Sequence, residues 1–306
     1  MQDTIDPDSA AAWQVRHYKK SLPRKDTFRN LQRFLSPLEG RTCLDVGGQG
    51  GVVPRLLREL GGLWVSADHR EPVVNNLRTV LGDDQVVLLD GVELPFDDQT
   101  FDTIVLVDYL QYIREDAAFL RECHRCLKPK GELIISVAHI KSFSMVRGLR
   151  KMLGLTNARY GRVRAGYGRR DLYEIIKDGF DIVEQQAYGG FFVHFWETIV
   201  QWSGGLAAEV PPKLDAQGHF ADQQELRRFA KVCHLQSVIY PLQKLGAGLD
   251  ALFSVTRDHM LVIQCRPRPW IQRKSVKLRD GRSIAEAAIQ TKIGSAAELV
   301  KPLPGT

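Results

Sequence analysis

The sequence predicts an α/β protein whose core is a parallel sheet covered on both faces by helices. Three observations predict it. Between residues 42 and 137, apolar runs of strand length alternate with amphipathic runs of helix length, the order in which crossover helices return each strand to one sheet. A glycine-rich turn, Gly47-Gly48-Gln49-Gly50-Gly51, separates the first strand from the first helix of that half, and glycines there let a ligand approach the backbone without meeting side chains. Asp68 follows the second strand, about twenty residues on, where a carboxylate can accept hydrogen bonds from both hydroxyls of a ribose.

Residues 1–40 are read as a helical lead-in. Residues 42–46 form the first strand, and residues 51–60 the helix after it, with Val52, Val53, Leu56, Leu57 and Leu60 at helical spacing. Residues 63–67 are a second strand. A helix over 72–81 opens on Pro72, a residue that the first helical turn tolerates. Residues 86–89, 103–107 and 133–137 supply three more strands. The helix before the last of these carries Phe119, Leu120, Cys123 and Leu127 on one face and is expected to stop at Lys128-Pro129-Lys130-Gly131, a basic last turn followed by helix breakers. A helix over 170–178 and a strand over 181–187 follow. The next strand signal is at 259–265, and some seventy residues between two strands exceed an ordinary loop. They are read as an inserted helical cap. The resulting division is 1–40 lead-in, 41–190 core, 191–257 cap, 258–266 last core strand and 267–306 a basic, loosely held tail with a short helix at 283–291.

A chain of 306 residues can bury a core of this kind without staples. The five cysteines, Cys43, Cys123, Cys126, Cys233 and Cys265, are scattered and odd in number, which describes no disulfide framework and agrees with a reducing compartment. Cys123 and Cys126 have metal-ligand spacing, but no second pair matches them, so they are read as buried small side chains and no metal is expected. No run of about 18 apolar residues occurs, and the first residues are acidic where a secretion signal would be basic. The expected location is cytoplasmic. The net charge of +6 is uneven: from Lys141 to Arg170 there are nine Lys or Arg and no Asp or Glu, which implies an anionic partner.

The glycine turn alone is compatible with several nucleotides, and the residues downstream narrow it. Asp45-x-Gly47, Asp68, Asp90, Leu94-Pro95-Phe96, Phe101-Asp102 and Leu127-Lys128-Pro129-x-Gly131 occur in that order. This order resembles the class I S-adenosylmethionine-dependent methyltransferase family that includes ubiquinone and menaquinone biosynthesis methyltransferases. The resemblance covers residues 40–140 and returns at Gly166-Tyr167 and Gly179-Phe180. It implies a Rossmann-like, seven-stranded class I methyltransferase sheet with the helical cap before its last strand. It also implies S-adenosylmethionine as the methyl donor and S-adenosylhomocysteine as the product. Asp45 and Gly47 would border the methionine part of the cofactor and Asp68 would bind its ribose, with Gly48, Gln49, Gly51 and His69 as further cofactor-binding candidates. Asp90 and Gly91 would border the adenine, and Val107 and Asp108 the methyl group. The sequence departs from the family pattern at Gln49 and Lys130, where glycine is common. A nicotinamide oxidoreductase would share the sheet but lacks the Leu-Pro-Phe block, and no Gly-x-Gly-x-x-Gly fits residues 47–52.

Methyl transfer from a sulfonium is an in-line displacement that needs alignment, and a base only where the acceptor must lose a proton. Tyr109, Tyr112 and His139 are the candidates near the strand ends, and His194 is a further one in the cap. The expected acceptor is a small molecule or a lipid- or glycan-linked one, with oxygen ahead of nitrogen or carbon as the methylated atom. Residues 141–155 place Phe143, Val146, Leu149 and Leu153 near one helical face and Arg147, Arg150 and Lys151 toward another. That pattern suits packing on the domain itself or peripheral contact with an anionic membrane surface. Two other readings stay open. One is an RNA methyltransferase using Arg159, Arg162, Arg164, Arg169 and Arg170 interleaved with Tyr160 and Tyr167, and the other a non-catalytic binding protein of the same fold.

Overall fold

The computed structural model describes residues 10–48, 51–81, 85–140, 144–203, 223–252 and 257–271. The expected tail helix at 283–291 and the departure at Gln49 lie outside the described residues. The chain divides into two units, residues 1–269 and residues 270–306.

Two helices, α1 (Ala10–Lys19) and α2 (Leu22–Phe34), lead into β1 (Thr42–Val46). Strand and helix then alternate through α3 (Val52–Glu59), β2 (Leu63–Asp68), α4 (Glu71–Leu81), β3 (Val86–Leu88), β4 (Phe101–Val107), α5 (Asp116–Cys126) and β5 (Leu127–Ala138). After α6 (Met145–Met152) and α7 (Arg169–Ile176) comes β6 (Phe180–Gly190). The helices α8 (Phe191–Ser203) and α9 (Gln223–Leu252) stand between it and the last strand, β7 (Arg257–Pro267).

The seven strands lie in the order β3-β2-β1-β4-β5-β7-β6. β1 pairs in parallel with β2 and β4, β4 with β5, and β2 with β3, while β7 runs antiparallel to both β5 and β6. The Rossmann-like seven-stranded sheet is therefore as expected. The central strands are rich in buried apolar residues, such as Leu44, Val46, Ile104 to Leu106 and Leu133 to Ile135, because both faces are covered. Leu31 and Phe34 of α2 pack with Val105, Ile134 and Val262 of three neighbouring strands, so the lead-in closes one face of the sheet. Val73, Val74 and Leu77 of α4 pack with Val86 of β3. Consecutive strands step outward from β1 in both directions, and the crevice that this reversal opens lies at the carboxyl ends of β1 and β4, where open α/β sheets bind ligands.

One element differs from the sequence expectation. Lys128-Pro129-Lys130-Gly131 does not close a helix; α5 stops at Cys126 and β5 already begins at Leu127. Phe101 pairs with Leu127, the register shifts before Thr103, and the Lys128 ammonium donates to Asp102 Oδ2 at 2.7 Å. Long-range pairing with β4 thus overrides the local helix-stop chemistry. Among the described residues no helix is long and apolar enough to cross a membrane.

Candidate active site

The glycine turn closes directly on the end of β4. Gly47 has φ 94°, and a Cβ there would stand 2.4 Å from the Val107 carbonyl oxygen and 2.8 Å from Tyr109 Cβ. A Cβ on Gly48 would stand 2.1 Å from Pro54 Cγ, at the start of α3. No side chain fits either space. The chain then turns through Gly51, which caps α3.

Beneath the turn lies Asp45, 1% exposed. Its Oδ2 accepts from the Ser66 hydroxyl at 2.6 Å and from Arg58 Nη1 at 3.4 Å, whereas its Oδ1 is buried with no partner. Burial pushes this carboxyl up to about 6, against the opposing pull of Arg58 and Ser66. Ending β2, Asp68 is fully buried, and Arg70 engages both of its oxygens. Oδ1 accepts from the Arg70 backbone N–H and Nε, both at 2.9 Å, and Oδ2 from Nη2 at 2.8 Å. The same guanidinium lies 4.1 Å over the Tyr112 ring. A ribose hydroxyl pair at Asp68 therefore has to share that carboxylate with Arg70 or displace it. His69 sets its Nδ1 3.1 Å from the Tyr109 hydroxyl. Asp90 and Gly91 follow β3 on the same edge of the sheet, both exposed.

At the end of β4 stands Asp108. Its φ of 51° is a left-handed conformation that a non-glycine residue adopts at a cost, and such outliers cluster at functional sites. Its Oδ1 is buried without a partner. Burial raises its pKa, while Arg162, Arg24 and Arg70 oppose the rise.

Gly47, Gly48, Val107 and Asp108 open onto a cavity of about 540 Å³. Its other walls come from across the fold: Tyr18 and Arg24 from the lead-in, His139 beyond β5, Arg150 from α6, Glu197 from α8 and Met260 from β7. Among the described residues three histidines reach it, His139, His194 and His259. The rings of His194 and His259 are 5.0 Å apart. Burial, with His259 adding to it, pushes His194 down to about 3, and its Nε2 has no partner, so this imidazole stays neutral across the physiological range. Two of the residues expected near the chemistry sit elsewhere. Tyr109 is fully buried with burial raising its pKa, and Tyr112 is 6% exposed beneath Arg70 and Arg162. Neither lines the cavity. Arg24, Glu197 and His259 do line it, and nothing in their sequence spacing marked them.

The basic stretch is not a continuous surface stripe. Arg164 donates to Asp116 and to the carbonyls of Ile113 and Arg114, and the Tyr167 hydroxyl donates to Asp116 Oδ2 at 2.8 Å. Arg147, Arg150, Lys151 and Arg162 line the cavity instead. Cys123 and Cys126 are both buried free thiols, with burial pushing Cys126 up to about 11.

The residues fit the methionine end of a cofactor on two counts. The turn is one that any Cβ would fill, and two buried carboxylate oxygens, on Asp45 and Asp108, lack partners beside it. Comparison with known proteins points the same way. Residues 44–135 match the family described as a methyltransferase domain. Over 106 residues the chain is 34% identical to a demethylmenaquinone methyltransferase of Clavibacter sepedonicus, a match covering 34% of this chain and 43% of that protein. Over 111 residues it is 30% identical to a ubiquinone biosynthesis O-methyltransferase of Parvibaculum lavamentivorans, covering 34% and 43%. The chain thus spans less than half the length of these relatives. A candidate methyltransferase of Bacillus halodurans shares the fold at a TM-score of 0.51 and 16% identity, over 79% of this chain and 98% of that one. Residues 44–135 thus match the methyltransferase-domain family, and their motif order and the strand order of the sheet are similar to those of class I S-adenosylmethionine-dependent methyltransferases.

Proposed function

We propose that the chain transfers a methyl group from S-adenosylmethionine to a small molecule held in the cavity, with oxygen as the favoured methylated atom. The observation that carries this reading is a shared wall: the turn that only glycine can make opens onto the same cavity of about 540 Å³ as Asp108 and His139. That volume lies within the usual range for small-molecule sites. Bound at the carboxyl ends of β1 to β4, S-adenosylmethionine supplies the activated methyl group.

Asp68 and His69 hold the ribose and Asp90 with Gly91 the adenine, while Gly47 and Gly48 let the methionine part pass close to the backbone. Val107 and Asp108 face the reacting centre. The partnerless Oδ1 of Asp108 accepts a hydrogen bond from the acceptor or from the donor's ammonium group. His139 takes the proton that an acceptor hydroxyl must lose, whereas His194, pushed down to about 3, is a weak base and a neutral hydrogen-bonding wall. The hydrophobic and cationic sides of the cavity suit an aromatic or quinol-like ring, and two relatives are described as a demethylmenaquinone methyltransferase and a ubiquinone biosynthesis O-methyltransferase. Peripheral membrane contact through α6 fits a lipid-linked acceptor, since Met145 and Met152 are 63% and 76% exposed beside Arg147 and Lys151. The RNA reading is the weaker one, because Arg150 and Arg162 line the cavity and Arg164 is bound to Asp116, so these cations do not form a continuous outer stripe.

Incubation with methyl-labelled S-adenosylmethionine and a panel of phenols and quinols tests the proposal. Label recovered as a methyl ether is the expected result. Bound cofactor with no label in any oxygen or carbon acceptor would overturn it.

A further inference from the structure

Positive charge gathers on the α6 side of the cavity. Arg150 and Arg162 both lie against the Tyr160 ring, with their guanidinium carbons 5.3 and 5.6 Å from its centroid. Two like charges are therefore held at one ring. No carboxylate of a described residue lies within ion-pair distance of Arg150, and the side chains of Arg147 and Lys151 have no ion pair or hydrogen bond among the described residues. All four face the cavity. The carboxylates on the same walls are Asp108, whose charge acts on Arg162, and Glu197, whose charge acts on Arg150 and whose Oε2 also accepts from the amides of Gln236 and Gln243 at 3.3 and 3.1 Å. Burial lowers the pKa of both Arg150 and Arg162, and a guanidinium in a protein keeps its charge. With Arg24, five cations thus face the cavity against two carboxylates, and like charges held together there favour an anion that joins them. Planar guanidinium groups also match the oxygens of a phosphate.

We propose that Arg150 and Arg162, with Arg147 and Lys151 at the rim, form an anion subsite, and that the methyl acceptor carries a phosphate or diphosphate which this subsite holds. The inference rests on the methyl-transfer reading and narrows its substrate class. The subsite fixes one end of the acceptor at Tyr160 while the other reaches toward Asp108 and His139. A free phosphorylated metabolite and the phosphate head of a lipid present the same chemistry to it.

The test is calorimetry of the full chain with inorganic pyrophosphate at low salt, followed by the Arg150→Gln/Arg162→Gln double variant. Flotation with vesicles of phosphatidic acid in phosphatidylcholine runs beside it, and S-adenosylhomocysteine binding and thermal unfolding are measured on every sample. The expected result is pyrophosphate binding that weakens at least tenfold in the double variant, with S-adenosylhomocysteine affinity unchanged. Vesicle binding lost in the same variant assigns the anion to a lipid head; pyrophosphate binding without flotation assigns it to a soluble acceptor. No pyrophosphate binding, or binding equal in both proteins, overturns the subsite while leaving the methyltransferase reading intact. Should the double variant unfold, Arg150→Lys takes its place. It keeps the charge and loses the fork, so an unchanged pyrophosphate affinity overturns a bidentate subsite.

Discussion

Replacing Gly47 by alanine should damage fold and cofactor site together, by an amount that the geometry sets. An L-residue in the left-handed region costs about 1–2 kcal/mol, and Gly47 has φ 94°. The new methyl would also stand 2.4 Å from the backbone oxygen of Val107 and 2.8 Å from Tyr109 Cβ. Neither is the far end of a flexible side chain, so the β4 end must shift, and such overpacking costs about 1–3 kcal/mol. The sum is roughly 3 kcal/mol, or a Tm lower by roughly 5 °C for a chain of 306 residues. Gly61 provides the control: its φ is 99° but a Cβ there meets nothing within 4 Å, so Gly61→Ala should show only the conformational part, about 1–2 kcal/mol. Thermal unfolding of both variants, with S-adenosylhomocysteine affinity by calorimetry, separates the two contributions. Gly47→Ala should bind the product at least about tenfold more weakly, a loss of about 1.4 kcal/mol, while Gly61→Ala binds normally. Equal Tm losses in the two variants, or full affinity in Gly47→Ala, would refute the reasoning.

Two further predictions concern titrating groups. Asp45, with its folded-state pKa raised to about 6, binds a proton more tightly in the native than in the unfolded chain. Stability should therefore fall as pH rises from about 4 to 6, by about 3 kcal/mol. Asp45→Asn should lack that fall, and urea unfolding at pH 4 and pH 7 checks it; an equal difference between variant and parent at both values counts against a buried, proton-binding Asp45. With an oxygen acceptor in hand, His139→Gln should lower kcat by about 10²-fold or more with KM little changed, read from initial rates across pH. Unaltered kcat would assign the proton to water or to another side chain.

The core was legible because a parallel sheet covered on both faces turns strands into continuous apolar runs. β1 occupies Thr42–Val46, as read from its residues, and β3 and β4 lie within a residue or two of their expected limits. The misread element was the start of β5, where Lys128-Pro129-Lys130-Gly131 carries local stop signals but pairs across to Phe101 and Asp102. Periodicity does not see such pairing. At the site, the glycine turn was visible from composition and order. The clasp of Arg70 on Asp68 was not, since an i, i+2 contact depends on how the chain turns after β2. The acceptor walls were the least legible part. Arg24, Glu197 and His259 come from α2, α8 and β7, and only the folded sheet brings them together. The basic stretch was visible as charge, but its division between the Asp116 ion pair and the cavity follows from the path of the chain between α6 and α7.

The central claim, that the glycine turn and the carboxylates after β1 to β3 bind S-adenosylmethionine, is tested most directly by calorimetric titration of the full chain and its Asp68→Asn variant with S-adenosylhomocysteine. One site per chain is predicted for the parent protein. In the variant, affinity should fall about 10- to 100-fold, the worth of charge-assisted hydrogen bonds of about 1.5–3 kcal/mol. No heat of binding at millimolar ligand, or equal binding by parent and variant, would contradict the account.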